Sequence, residues 1–203
     1  MITSNRLTSH FAVAAAAISC AGVAHGTVIY SGVVNITVQA NIDGCYMNVE
    51  TGQYVNGPGS GVPGWDVNPY GTSITAISLF AATGTGYMRN PGAGTSTART
   101  RLDPGTVIGS AAFFYGSSSA TIGTSVGQWA ANSSGYYGFK FLTADATTHY
   151  GWMQLAIGAN ALTRVIVDYA WENVAGGSIT VVPGPGAIAL LGFAGIFGRR
   201  RRA

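Results

Sequence analysis

The side chains able to do covalent or acid–base chemistry in this chain are few. Of its three histidines, His10 and His25 lie within the first 26 residues, leaving His149 in the body of the chain. That count excludes a His-based zinc site and an HExxH helix, and neither a metal nor a cofactor is expected. A Cys45/His149 dyad is open by arithmetic. Cys45 sits in Gly44-Cys45-Tyr46-Met47, however, a strand-like setting in which Cys reads as a small core residue. The seven acids leave room for a glycosidase-like carboxylate pair drawn from Asp66, Asp103, Asp145 and Glu172. Such a pair must stand about 5 to 10 Å apart across a sugar cleft. Each of these acids has turn-like neighbours, where a carboxylate commonly closes the turn, and that is the preferred reading. Asp66 and Asn68 alternate two oxygens that could meet calcium, but the spacing of an EF-hand is absent and an Asx turn at Asp66 is simpler.

Non-covalent chemistry has more material. Trp65, Tyr70, Trp129, Tyr136, Tyr137, Trp152 and Trp171 supply faces for sugar rings, although a domain core would consume most of them, each burying ~150 to 250 Å². Trp65 and Tyr70 flank a polar loop and are expected to stay partly exposed. With Asp66 and Asn68 they form the candidate ligand-binding group. Arg89, Arg99 and Arg101 share one Gly/Thr-rich loop, where they either meet an acidic polysaccharide or simply keep a charge-poor domain soluble.

Positioning these groups falls to strands. The 203 residues suit one domain, and only 8% are charged while 30 are Gly, which excludes coiled coils and Lys/Glu-rich bundles. The basic balance is a tail effect: Arg6 and Arg199 to Arg202 lie at the ends, leaving five cations inside against all seven acids, so no nucleic-acid footprint is present. Alternation puts Val34, Ile36 and Val38 on one strand face. It sets Met153, Leu155 and Ile157 against Tyr150, Trp152 and Gln154, and Thr163, Val165, Val167, Tyr169 and Trp171 against Arg164, Ile166 and Asp168. With residues 137–142, the last two segments predict three successive antiparallel strands. Further strands are expected at 73–82 and 106–115, with surface loops at 56–64 and 90–97. The fold class expected is all-β: a single antiparallel β-sandwich, jelly-roll-like, flanked by an N-terminal signal helix and a C-terminal hydrophobic helix.

The two ends read as addresses. Arg6, an apolar run over 11–18 and small residues to Gly26 form the three parts of a secretory signal, with cleavage expected after Gly26 or, nearby, after Ala24. Cys20, after Ala17-Ile18-Ser19, offers lipidation as a minor alternative. At the C-terminus, residues 181–198 are uncharged, and Ala187, Ile188, Leu190, Leu191, Phe193, Ile196 and Phe197 form the membrane segment. At ~1.5 Å per residue the run reaches about 27 Å, near the hydrocarbon thickness. Arg199, Arg200, Arg201 and Arg202 follow as a cytoplasmic anchor, which places the middle of the chain outside the membrane.

Pro183-Gly184-Pro185, the apolar stretch and the terminal arginines together resemble the PEP-CTERM sorting domain of bacterial surface proteins, in its Val-Pro-x-Pro-Gly-Ala variant. Gly184 stands where Glu is commonest. The resemblance covers about the last 22 residues and implies cleavage near Pro183 to Pro185 by an exosortase-type protease. It also implies export, with association to exopolysaccharide or the cell surface. Gly64-Trp65-Asp66-Val67-Asn68-Pro69-Tyr70, Tyr150-Gly151-Trp152 and 168–172 are similar to segments of uncharacterised exported proteins that carry the same tail, many from planctomycete-like bacteria. The domains expected are a signal over 1–26, a passenger over 27–180 and a sorting tail over 181–203. The function expected is that of a non-enzymatic exported surface or matrix protein. Its expected partners are the export machinery, the sorting protease, the membrane as a transient anchor and exopolysaccharide, with no nucleic acid. A lectin-like carbohydrate-binding module is the alternative, and a secreted glycoside hydrolase the third reading.

Overall fold

A computed structural model describes residues 26–89, 100–182 and 184. Their strands are β1 (Val28–Tyr30), β2 (Ile36–Thr37), β3 (Tyr46–Met47), β4 (Tyr54–Val55), β5 (Val67–Tyr70), β6 (Ala76–Ala81) and β7 (Gly86–Met88), then β8 (Val107–Ile108), β9 (Phe114–Tyr115), β10 (Ser117–Thr121), β11 (Ser133–Leu142), β12 (Thr148–Ile157), β13 (Arg164–Glu172) and β14 (Ile179–Thr180). One 3₁₀ turn, Gly59–Gly61, breaks the 56–64 loop. The fold is all-β, and the strands pair antiparallel throughout.

A seven-stranded sheet runs β1-β13-β12-β11-β7-β9, with β2 added to β13, and a five-stranded sheet runs β10-β6-β5-β3-β4. Alternation explains the layering. Ile77, Leu79 and Ala81 of β6 and Val67 of β5 point inward and share one buried cluster with Phe139, Phe141, Met153, Leu155 and Ile157 of the larger sheet. The two sheets therefore face each other across a common core. Tyr87 ties them together, its buried hydroxyl accepting from Asn68 N at 2.9 Å and donating to Phe80 O at 3.1 Å.

The larger sheet has a second covered face. Tyr150, Trp152 and Ala170 on that side pack with Ile108, Ile179 and Val181, which arrive on a strap formed by the β8–β14 pair, and with Leu102, which bridges to Tyr136 of β11. Val181 is fully buried and exchanges backbone hydrogen bonds with Gly105 and Thr106, so the first residue assigned to the tail is part of this layer.

The predicted meander of three strands is present as β11, β12 and β13, and β12 shows the expected faces. In β13 the single alternating phase fails. Leu155 pairs with Ile166 and Gln154 with Asp168, so Val167 is an extra residue that forms a bulge. Ile166 before it and Tyr169 and Trp171 after it all reach the inter-sheet core, while Ala170 faces the strap. The strand expected over 106–115 is two short strands, β8 and β9, in different sheets, because Gly109 to Ala112 form a turn closed by Ala112 N on Gly109 O at 3.0 Å. The expected signal helix, the expected membrane helix and the loop expected over 90–97 fall on residues outside the described ones, Gly26 apart. Among the described residues no helix is long and apolar enough to cross a membrane.

The β11–β12 hairpin turn carries Ala146 at φ 62°, a left-handed position that favours Gly. Ala146→Gly is expected to stabilise the domain by about 0.5 to 1 kcal/mol, since relief of this conformation outweighs the unfolded-state entropy that Gly adds. The urea midpoint measures it, and an unchanged or lower midpoint refutes it.

Candidate functional site

The loop before β5 is built to hold one ring at the surface. Gly64 turns the chain at φ 64°, and Asn48 Nδ2 donates to Gly64 O at 2.8 Å. On the other side of Trp65, the Asp66 carboxylate accepts Val49 N at 2.8 Å. Both anchors come from the β3–β4 hairpin, so Trp65 sits between two fixed neighbours. Its ring packs edge-on against Tyr46 at 4.8 Å and at a 37° tilt against Phe80 at 5.8 Å. Phe80 is 44% exposed, the one outward aromatic of β6. Trp65, Phe80, Thr83, Gly84, Thr85 and Ser117 line an open cleft of about 510 Å³ whose lining side chains are uncharged. Aromatic faces beside hydroxyls, with no charge, suit a neutral polyhydroxylated ligand.

The four residues expected to bind ligand divide into two pairs. Trp65 and Tyr70 are half-buried as expected, but Trp65 stacks with Phe80 and Tyr46 rather than with Tyr70. Asp66 and Asn68 are buried and serve the backbone, Asn68 Oδ1 accepting Cys45 N at 3.1 Å. The Asx turn expected at Asp66 is replaced by the long-range bond to Val49. Burial, the largest influence, pushes the Asp66 carboxyl up to about 7, against a smaller opposing effect of the Val49 N–H. Phe80 and Tyr46 escaped the sequence reading. The signal was the parity of Ala76-Ile77-Ser78-Leu79-Phe80-Ala81, which puts Phe80 on the solvated face.

The other reactive groups are engaged locally. Cys45 is fully buried in the inter-sheet core, and burial pushes its thiol up to about 12. His149 Nδ1 lies 2.7 Å from Glu172 O and Nε2 lies 2.9 Å from Thr147 Oγ1, so neither ring nitrogen meets Cys45. Asp145 closes the β11–β12 turn, accepting from Thr143 Oγ1, Thr147 Oγ1 and Thr147 N. Those bonds hold it down to about 2. Asp103 pairs with Arg101 at 3.2 Å, and the Arg89 guanidinium lies 3.3 Å over the Tyr115 ring. Arg99 lies outside the described residues. Among the described residues no three His, Cys, Asp or Glu side chains cluster as metal ligands.

Each of the two expected processing sites has one described residue in the fold. Gly26 packs against the Glu172 side chain. A Cβ on Gly184 would stand 2.5 Å from Tyr30 Oη and 2.6 Å from Asp168 Oδ2, so only Gly fits where this residue is buried. Pro183, Pro185, the membrane segment, the arginine anchor and Ala24 lie outside the described residues. Fold and cleft together define an all-β domain with an uncharged aromatic surface site. No protein-family model, curated protein or solved structure matches the chain.

Proposed function

We propose that this chain is a non-enzymatic exported surface or extracellular-matrix protein. It is delivered by an N-terminal signal, held at the membrane by its C-terminal segment and cut there by an exosortase-type protease, with exopolysaccharide as the surrounding partner. The two facing sheets are read as a sandwich, jelly-roll-like in that the chain crosses between sheets from β6 to β7, β9 to β10 and β10 to β11. The observation that carries the non-enzymatic reading is the engagement of the candidate chemistry by the fold itself. Asp66, Asp145 and Glu172 each accept a backbone N–H, and both nitrogens of His149 are bonded. Intact-mass analysis of protein recovered from the producing cells tests the route. The expected species begins at Thr27 or His25 and lacks Arg199 to Arg202, whereas a C-terminus that still carries them defeats the processing.

A second reading is favoured by the Trp65–Phe80 cleft: a lectin-like module for neutral polysaccharide. Trp65→Ala is expected to weaken retention on such a polysaccharide in affinity electrophoresis by about tenfold, the loss of one stacked ring at ~1.4 kcal/mol. Equal mobility of variant and parent in the presence of sugar removes this reading. A glycoside hydrolase remains the third, and a release of reducing ends that Asp66→Asn abolishes would establish it.

A further inference from the structure

Glu172 ends β13 as a carboxylate only 6% exposed, with Oε1 accepting Val174 N at 3.0 Å. Among the described residues the ion pair is Arg101–Asp103, and no Lys or Arg pairs with Glu172. A buried carboxylate without a cation is costly, and one N–H bond offsets only part of that cost. Two glycines clear the space around it. A Cβ on Gly177 would stand 2.8 Å from Glu172 Cγ, and a Cβ on Gly26 would overlap the carboxylate itself. The next residue is already aimed at the same corner: Thr27 N donates to Asn173 Oδ1 at 2.7 Å, and Asn173 N returns a bond to Thr27 O at 3.3 Å. The following pair, Val28 with Glu172, begins the β1–β13 ladder.

We propose that leader removal between Gly26 and Thr27 creates a latch, in which the α-ammonium freed on Thr27 becomes the cation of Glu172 while keeping Asn173 Oδ1 as an acceptor. This rests on the export reading. A peptidase adds water across the Gly26–Thr27 bond, so Gly26 leaves as a carboxylate and Thr27 takes a proton to become an ammonium. The cut thus removes the α-carbon that fills the space beside the carboxylate and puts a positive charge next to it. Thr27 lies at the solvent edge, so the amine keeps part of its hydration while the carboxylate gains a partner. Cleavage after Ala24 leaves His25 and Gly26 in place and builds no latch, so the geometry selects Gly26 of the two candidate positions.

The test uses the chain from Gly26 to Ala203 behind a ubiquitin-like tag whose peptidase cuts after Gly-Gly, so that position 26 remains Gly before cutting and Thr27 is the terminus afterwards. With tag and peptidase present in both samples, cutting is expected to raise Tm by about 4 °C. In Glu172→Gln the rise is expected to fall below about 1 °C. No rise, or an equal rise in both, overturns the latch. Should Glu172→Gln fail to fold, the rate at which the freed α-amine reacts with an acylating reagent decides. A rate at least about tenfold below that of a Thr-Val-Ile peptide supports the pair, and an equal rate overturns it. Terminal sequencing of exported protein tests the export reading separately, since a cut elsewhere leaves the in vitro latch result standing.

Discussion

Replacing Arg164 with Met is expected to cost the domain about 3 kcal/mol and to lower Tm by roughly 6 to 12 °C. Arg164 is the largest charged side chain in the interior, 1% exposed at the start of β13. It holds three segments by their backbone oxygens: Nη1 donates to Ala161 O at 3.1 Å, and Nη2 donates to Gln39 O and Gly71 O, each at 2.7 Å. These carbonyls lie near the start of the loop after β2, at the start of the loop after β5 and within the β12–β13 turn, so one guanidinium ties three connections together at a single corner. Burial draws its pKa down to about 10, which still leaves it charged at neutral pH. Two effects compete in the substitution. Met removes a desolvated charge, and the buried Nε has no partner to lose. Against that, the buried Ala161 oxygen and the half-buried Gln39 and Gly71 oxygens lose their donors, the buried one at about 1 to 3 kcal/mol and the other two at less, and the sum outweighs the relief. Arg164→Lys keeps the charge but not the fork that reaches three oxygens, and is expected to recover less than half of the loss. A denaturation midpoint within about 0.5 kcal/mol of the parent in Arg164→Met would show that the corner holds without the bridge.

The same corner explains why parts of the fold were readable in the sequence and parts were not. Met153, Leu155 and Ile157 alternate without interruption, and their strand is where the pattern puts it, because a two-residue period needs only local information. Val167 breaks that period. A bulge is selected by how β13 must pair with both β12 and β2, and nothing in Thr163 to Trp171 marks it. Arg164 read as the polar member of an alternating pair, whereas its role depends on carbonyls up to 125 positions away. Asp66 likewise looked like a turn residue because its true donor, Val49, lies 17 positions back. The aromatic cleft was half visible. Trp65 stood out beside Gly64 and Asn68, but Phe80 became relevant only once β6 lay next to β5 with Asn68 opposite Phe80. Side chains whose partners are near in sequence, such as Asp145 in its turn, were correctly read; those that join distant segments were not.

Stability is expected to fall as pH rises from about 4 to 7, and Asp66 is the main reason. Burial raises its folded pKa to about 7, with the neighbouring Glu50 charge adding a smaller push in the same direction. The unfolded value is about 3.9. Between these two values the folded chain holds a proton that the unfolded chain has released, so the derivative of unfolding free energy with pH is negative. The contribution is fully present below the unfolded value and is lost as pH climbs through the folded one, at most on the order of 4 kcal/mol. Asp168 is raised as well, by burial that outweighs the Tyr30 hydroxyl 2.7 Å from its Oδ2, and acts in the same sense. Asp145 acts oppositely and lower down: held to about 2 by the Thr143 and Thr147 hydroxyls, it stabilises above the unfolded value and that support is lost as pH falls towards 2. The expected profile is therefore a maximum near pH 4 with a decline on either side. Asp66→Asn separates the causes, since its amide keeps an oxygen for Val49 N and a donor where the neutral acid has its O–H. The decline from pH 4 to 7 should flatten by more than half while the acid limb stays as it is, and melting curves across that range that remain parallel in parent and variant would remove Asp66 as the source.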